Sequence, residues 1–151
     1  MVHHKNRFFT LRAELGDGRA MPSSAQTVIA QIRSSVLDLH GDYGAGCTMP
    51  SLSVRFFDPS SSICAIRVDR EFAEMVRTSI ALVTQLDKRE VRLRVLHMAG
   101  NMRSCKAVVR RQLDRHLRAR LASKSALPVR KREEALHAHQ EAVSELDRTQ
   151  L

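Results

Sequence analysis

Between Lys88 and Arg120 the chain carries eleven bases (Lys88, Arg89, Arg92, Arg94, Arg103, Lys106, Arg110, Arg111, Arg115, Arg118 and Arg120) against two acids, Glu90 and Asp114. Charge at that density folds only if the apolar residues among it all turn the other way. They do: Val91, Leu93, Val95 and His97 alternate with Arg92, Arg94, Leu96 and Met98, the period of a strand. Met102, Cys105, Val109, Leu113 and His116 then recur at helical spacing, with Arg103, Arg110, Arg111, Arg115 and Arg118 opposite them. Gly100 and Asn101 separate the two periods. A strand, a tight corner and a basic helix are expected, and charge on such regular structure has fixed placement that a loose tail lacks.

The rest of the chain alternates in the same way. Phe9, Leu11, Ala13 and Leu15 share one side of a first strand, with Phe8, Thr10, Arg12 and Glu14 on the other. After a turn at 17–22, Ser23 or Ser24 can cap a helix whose apolar face is Ala25, Val28, Ile29, Ile32, Val36 and Leu39. Gly41 is placed to end that helix in the left-handed conformation, and a glycine-rich connection (41–46) holding Asp42 and Tyr43 follows. Leu52, Val54 and Phe56 mark a second strand, Asp58 to Ser62 a hairpin turn, and Ile63 to Val68 a third strand. Asp69 then caps a helix with the cleanest stripe in the sequence: Phe72, Met75, Val76, Ser79, Ile80, Val83 and Leu86.

Strand, helix, strand, strand, helix, strand, helix describes an α+β protein. The arrangement that fits is the split β-α-β (ferredoxin-like, RRM-like) one: a four-stranded antiparallel sheet, two helices packed on one face, and the basic C-terminal helix either capping the second face or extending away. Residues 1–122 form this RNA-binding-type α/β domain, and 123–151 a charged, helical tail. The tail's apolar face (Ala135, His139, Ala142, Val143, Leu146) is thin enough to predict a peripheral, frayed helix, with Pro128 in its first turn.

At 151 residues and 43% hydrophobic composition the chain can bury roughly two-thirds of its unfolded surface. Its net charge of +9 suits a polyanionic partner, most commonly nucleic acid. Three cysteines with no CxxC pairing (Cys47, Cys64, Cys105) argue against a disulfide framework or a zinc site and for a reducing compartment. No apolar run approaches the roughly 20 residues of a bilayer span, so the reading is a soluble, intracellular protein with no membrane partner. His97 with Cys105 lacks the third group a nucleophile pair needs, and Asp69, Glu71 and Glu74 occupy a helix's first turn, where the dipole already favours them. No catalytic residue and no metal ligand is expected.

Five segments together resemble one family. Met1-Val-His-His-Lys-Asn-Arg-Phe8, His40-Gly-Asp-Tyr-Gly44, Val54-Arg-Phe-Phe57, Ala65-Ile-Arg-Val-Asp-Arg-Glu-Phe72 and His97-Met-Ala-Gly-Asn-Met-Arg-Ser-Cys105 are similar, in order and spacing over about residues 1–121, to the small Pop-five subunits of eukaryotic and archaeal ribonuclease P and ribonuclease MRP. Asn101 stands where that family more often has threonine or cysteine.

The resemblance implies a non-catalytic accessory subunit of an RNA-based endoribonuclease. There the catalytic RNA and its bound Mg2+ cut precursor tRNA at its 5′ end, or precursor rRNA in the MRP enzyme, and the protein stabilises the RNA core. The implied partners are that RNA, precursor tRNA nearby, a TIM-barrel-like protein subunit and a large scaffold subunit. The implied location in a eukaryote is nucleus and nucleolus. No cofactor is expected on the protein itself. Charge and topology alone equally allow a generic ferredoxin-like RNA- or ribosome-binding module with no part in tRNA processing.

For RNA contact the foremost candidates are Arg103, Lys106, Arg110 and Arg111 on the basic helix, with Gly100 allowing close backbone approach. Lys5 and Arg7 at the start of the first strand are further candidates, as are Arg55, Arg67, Arg92 and Arg94, which form a second basic surface if they share an open sheet face and are otherwise edge charges that block aggregation. Tyr43, the one tyrosine, is a candidate for base stacking. The third strand has no aromatics, which disfavours base reading by the sheet and favours recognition of phosphate and shape.

Overall fold

The computed structural model describes residues 5–16, 24–122 and 129–149. The first four residues of the N-terminal motif, the expected turn at 17–22, Ser23 as a cap and Pro128 as a first helical residue lie outside them.

A five-stranded antiparallel sheet runs in the order β2-β3-β1-β5-β4, built from β1 (Asn6–Leu15), β2 (Ser53–Asp58), β3 (Ile63–Asp69), β4 (Gln85–Leu86) and β5 (Arg89–Ala99). Four of the strands reproduce the split β-α-β order. The fifth, β4, is a two-residue addition that corrects the four-stranded expectation. It exists because the second long helix, α2 (Ala73–Ala81), stops early. Val83 and Leu86 still reach the core, both nearly fully buried, but from a hairpin that turns at Asp87 and Lys88, each at positive φ. Spacings of three and four residues fit both a helix and a bend back onto one, so the stripe alone did not separate them. Asp69 likewise precedes a 3₁₀ turn (Arg70–Phe72), makes no side-chain capping bond there, and α2 begins only after it.

The first helix, α1 (Ala25–Thr48), starts as expected, with Ser24 Oγ accepting from the Thr27 N–H at 3.3 Å. Gly41 does adopt a positive φ (+63°), but the chain then rewinds. The segment expected as a glycine loop is a further helical turn through Thr48, held by burial of Gly44, Ala45 and Thr48 and by the Thr48 hydroxyl donating to the Gly44 carbonyl at 2.8 Å.

Strand alternation divides the interior into two cores. On one face, Phe9, Leu11 and Ala13 of β1 and Cys64, Ile66 and Val68 of β3 pack with Val28, Ile32 and Val36 of α1 and Val76 and Ile80 of α2. The Ser35 hydroxyl joins the two helices by donating to the Ser79 carbonyl at 2.8 Å. On the other face, Phe8, Phe56, Ile63, Ala65 and Ala99 pack beneath α3 (Met102–Ala122) through Met102, Cys105, Val109 and Leu113, four of the five apolar positions expected on that helix. The second sheet face is therefore covered by α3, the first of the two placements expected for that helix, and no open sheet face remains there for the strand arginines to share.

The tail contributes to the same cover. Helix α4 (Val129–Arg148) lies against α3 and β2, and Ala142 and fully buried Leu146 belong to the second core. The Thr149 hydroxyl lies between the Glu145 carbonyl at 3.0 Å and the Arg55 carbonyl at 3.3 Å, beside β2. A thin apolar face suffices because alanines let α4 approach closely and one leucine fills the space.

Leu146→Ala should therefore destabilise the chain by about 2–4 kcal/mol, whereas Leu136→Ala, at a residue 44% exposed, should change it by less than about 0.5 kcal/mol. Denaturant titration of the two variants measures both. Between α3, α4 and the β2–β3 turn, burial above all, then Arg120, lowers the His116 pKa; Asp58 opposes this and Arg12 adds to it. A histidine whose pKa is lower folded than unfolded leaves the unfolded chain holding more protons, so its contribution is present above the unfolded value near 6.5 and is lost as pH falls below it. His116→Gln should flatten the loss of stability as pH falls below about 6.5, read as the change in denaturation midpoint.

Candidate nucleic-acid interface

The N-terminal end of β1 lies between β3 and the corner where β5 passes into α3. Phe8 pairs with Arg67 on one side and with Ala99 on the other. The Lys5 carbonyl accepts from the Arg70 N–H at 2.7 Å, which ties the residue before the strand to the sheet. Arg55 comes from β2 by a separate device. The register of β2 on β3 slips between the Val54–Ile66 and Phe56–Ala65 pairs, leaving Arg55 as the extra residue of a bulge. Bulges re-aim a side chain that a regular strand would direct elsewhere.

These segments enclose a cleft of about 420 Å³ lined by Lys5, Asn6, Arg7, Arg55, Arg67, Gly100 and Asn101. Buried Phe8 and Met102 also line it. Among the described residues four cations line it and no carboxylate does. Burial first and neighbouring Arg67 second push the Arg55 pKa below its ordinary value, as expected where two like charges are held together. Arg67 Nε is buried with no hydrogen-bond partner among the described residues. Arg7 lies directly over the corner: a Cβ on Gly100 would stand 3.1 Å from its Nη1. Asn101 begins α3 by accepting the Ser104 N–H on its Oδ1 at 2.8 Å, so an asparagine caps this corner well.

Five of the residues expected from sequence (Lys5, Arg7, Arg55, Arg67, Gly100) thus meet in one place, from segments up to 95 positions apart. The others do not join them. Arg92 and Arg94 lie further back along β5 beside Glu74 and Arg77 of α2, with Arg94 3.9 Å from Glu14. Tyr43 is 73% exposed on the helical turn after Gly41, where a side-chain hydrogen bond with Cys47 is the main cause raising its phenol pKa. Lys106 donates to the Asp147 carbonyl at 3.2 Å and Arg110 forms an ion pair with the Asp147 carboxylate, so both bases face α4. Arg103 and Arg111 are exposed on α3. Asn6 and Asn101 also line the cleft; the sequence placed Asn101 at the corner but marked neither for RNA contact, and Asn6 is brought there by its pairing opposite Asp69.

The sequence model of the Rpp14/Pop5 family matches residues 7–110. The chain belongs to the Rpp14/Pop5 family. Relatives include the probable ribonuclease P/MRP protein subunit POP5 of Arabidopsis thaliana, 27% identical over 113 residues (70% of this chain, 75% of the relative). The ribonuclease P/MRP protein subunit POP5 of Homo sapiens is 26% identical over 122 residues (75% of each). A chain in the cryo-EM structure of yeast ribonuclease MRP shares the fold, with a TM-score of 0.53 at 15% identity over 68% of this chain and 79% of that one. The Rpp14/Pop5 match contains Arg7, Arg55, Arg67 and Gly100 of the cleft and excludes α4.

Replacing Arg55 by Met keeps the aliphatic stem and removes one of two repelling charges. The isolated variant should melt no lower than the natural chain. A midpoint more than about 2 °C lower would show that attractive contacts hold the guanidinium in place.

Proposed function

We propose that this protein is the RNA-binding subunit of a ribonuclease P or MRP ribonucleoprotein, and that it stabilises the catalytic RNA through the Gly100 cleft. The observation that carries the reading is the convergence of Lys5, Arg7, Arg55 and Arg67 without an acid, in a chain of this family. Cations held together without neutralisation oppose folding on their own account and become favourable when phosphates fill the space between them. The cleft's floor is buried Phe8 and Met102, which offer no exposed ring for a base, so the contact is with the RNA backbone.

The chain supplies no hydrolytic group in this account. Its buried thiols are poor nucleophiles: burial pushes Cys64 up to about 12 and raises Cys105, whose Sγ lies 3.5 Å from the Thr10 hydroxyl. Cleavage of precursor tRNA at its 5′ end, or of precursor rRNA, then belongs to the RNA and the Mg2+ it binds. The protein partners are a TIM-barrel-like subunit and a large scaffold, and the particle is nuclear and nucleolar. No described helix is long and apolar enough to cross a membrane.

Purification from native cells at mild salt should recover one dominant structured RNA and 5′ cleavage of precursor tRNA, or precursor rRNA processing, that nuclease treatment abolishes. Diffuse RNA with no processing activity would leave only a general RNA-binding module, and cleavage surviving nuclease would place the chemistry on protein.

A further inference from the structure

Arg111, Arg115 and Arg118 stand at i, i+4 and i+7 on α3, so their side chains share one helix face over about 10 Å of its length. That face points away from both of the helix's neighbours. The sheet side is taken by Met102, Cys105, Val109 and Leu113. The side toward α4 carries Lys106 and Arg110, both bonded to Asp147, and Asp114, whose carboxylate lies 3.1 Å from His139 Nε2. The acids of this region therefore serve only the α4 flank. The three arginines are exposed and make no ion pair among the described residues. Arg111 and Arg115 repel one another at i, i+4, and Asp114, the one acid on α3, pairs with His139 and forms no ion pair with the three arginines among the described residues.

We propose that this stripe is a second contact for the RNA backbone, separate from the cleft, along which successive phosphates of one RNA segment lie. The proposal rests on the RNA-binding reading above. All three bases are arginine, whose planar fork matches phosphate oxygens. The helix has no Phe, Tyr or Trp, His116 turns toward α4 and the β2–β3 turn, and the outward N-terminal positions include Ser104 and Ala107, so the stripe reads charge and spacing, with no stacking of bases. Arg115 and Arg118 thereby join the functional residues. Lys106 and Arg110 lie on the α4 flank, bonded to the Asp147 carbonyl and carboxylate, and do not belong to this stripe.

The test measures binding of the full chain to its co-purifying RNA across a salt series. Arg111→Gln/Arg115→Gln/Arg118→Gln should lower the slope of log K against log salt by about 2 to 3, near 0.9 per lost contact. The triple arginine-to-lysine variant should keep the natural slope. Circular dichroism and thermal melting check folding, and if the triple variant does not fold, Arg115→Gln alone should lower the slope by about 0.9. A natural slope in the glutamine variant, while Arg55→Gln/Arg67→Gln lowers it, would overturn the stripe and leave the cleft standing. A natural slope in both would overturn the RNA-binding reading itself. Loss of a protein subunit from the particle at unchanged slope would assign the stripe to a protein and overturn the proposal.

Discussion

Everything in this molecule depends on β1 being paired on both edges. Its hydrogen bonds to β3 and β5 fix which side chains enter each core, with Phe9, Leu11 and Ala13 beneath α1 and α2, and Phe8 beneath α3. A one-residue slip would exchange the two sets and empty both cores. The same register carries Lys5 and Arg7 into the space between Arg67 and Gly100. The core and the basic cleft are thus set by one strand alignment, and a chain that folds at all assembles the cleft.

Charge is distributed unevenly over that frame. Where α4 docks, its groups answer those of α3: the Asp147 carboxylate meets Arg110, the Asp147 backbone carbonyl meets Lys106, and His139 meets Asp114. At the cleft and on the outer face of α3 no acid pairs with the arginines among the described residues. Exposed pairs contribute little to stability, so the difference between these regions concerns recognition more than folding. Unanswered cations on rigid elements present a fixed pattern of positive charge, and an RNA backbone meets it without the protein reorganising. Helix α4 lies beyond the segment matched by the family model, yet its Leu146 is part of the core that supports α3. In this chain the segment after residue 128 helps hold the basic helix in position.

Periodicity made much of this legible. Alternation found four strands, helical spacing found the buried faces of α1, α2 and α3, and Ser24 and Gly41 behaved as their chemistry requires. What stayed hidden is set by contacts between distant segments. The bulge at Arg55 follows from how β2 meets β3, and that at Leu96 from how β5 meets β1. The β4 hairpin was masked because Val83 and Leu86 continue a helical spacing. Lys106 and Arg110 read from sequence as free bases, since nothing local shows that Asp147, 41 and 37 residues later, lies against them. Of the basic candidates, those at strand ends and bulges converged, whereas the helical ones were divided between α4 and solvent.

The most direct test of the cleft is a photocrosslinking residue placed at Asn6 in the assembled particle, since Asn6 lines the cleft without contributing charge. The account predicts crosslinks to the RNA, concentrated at one structured site. Crosslinks to protein alone would contradict it and would mark the cleft as a subunit interface.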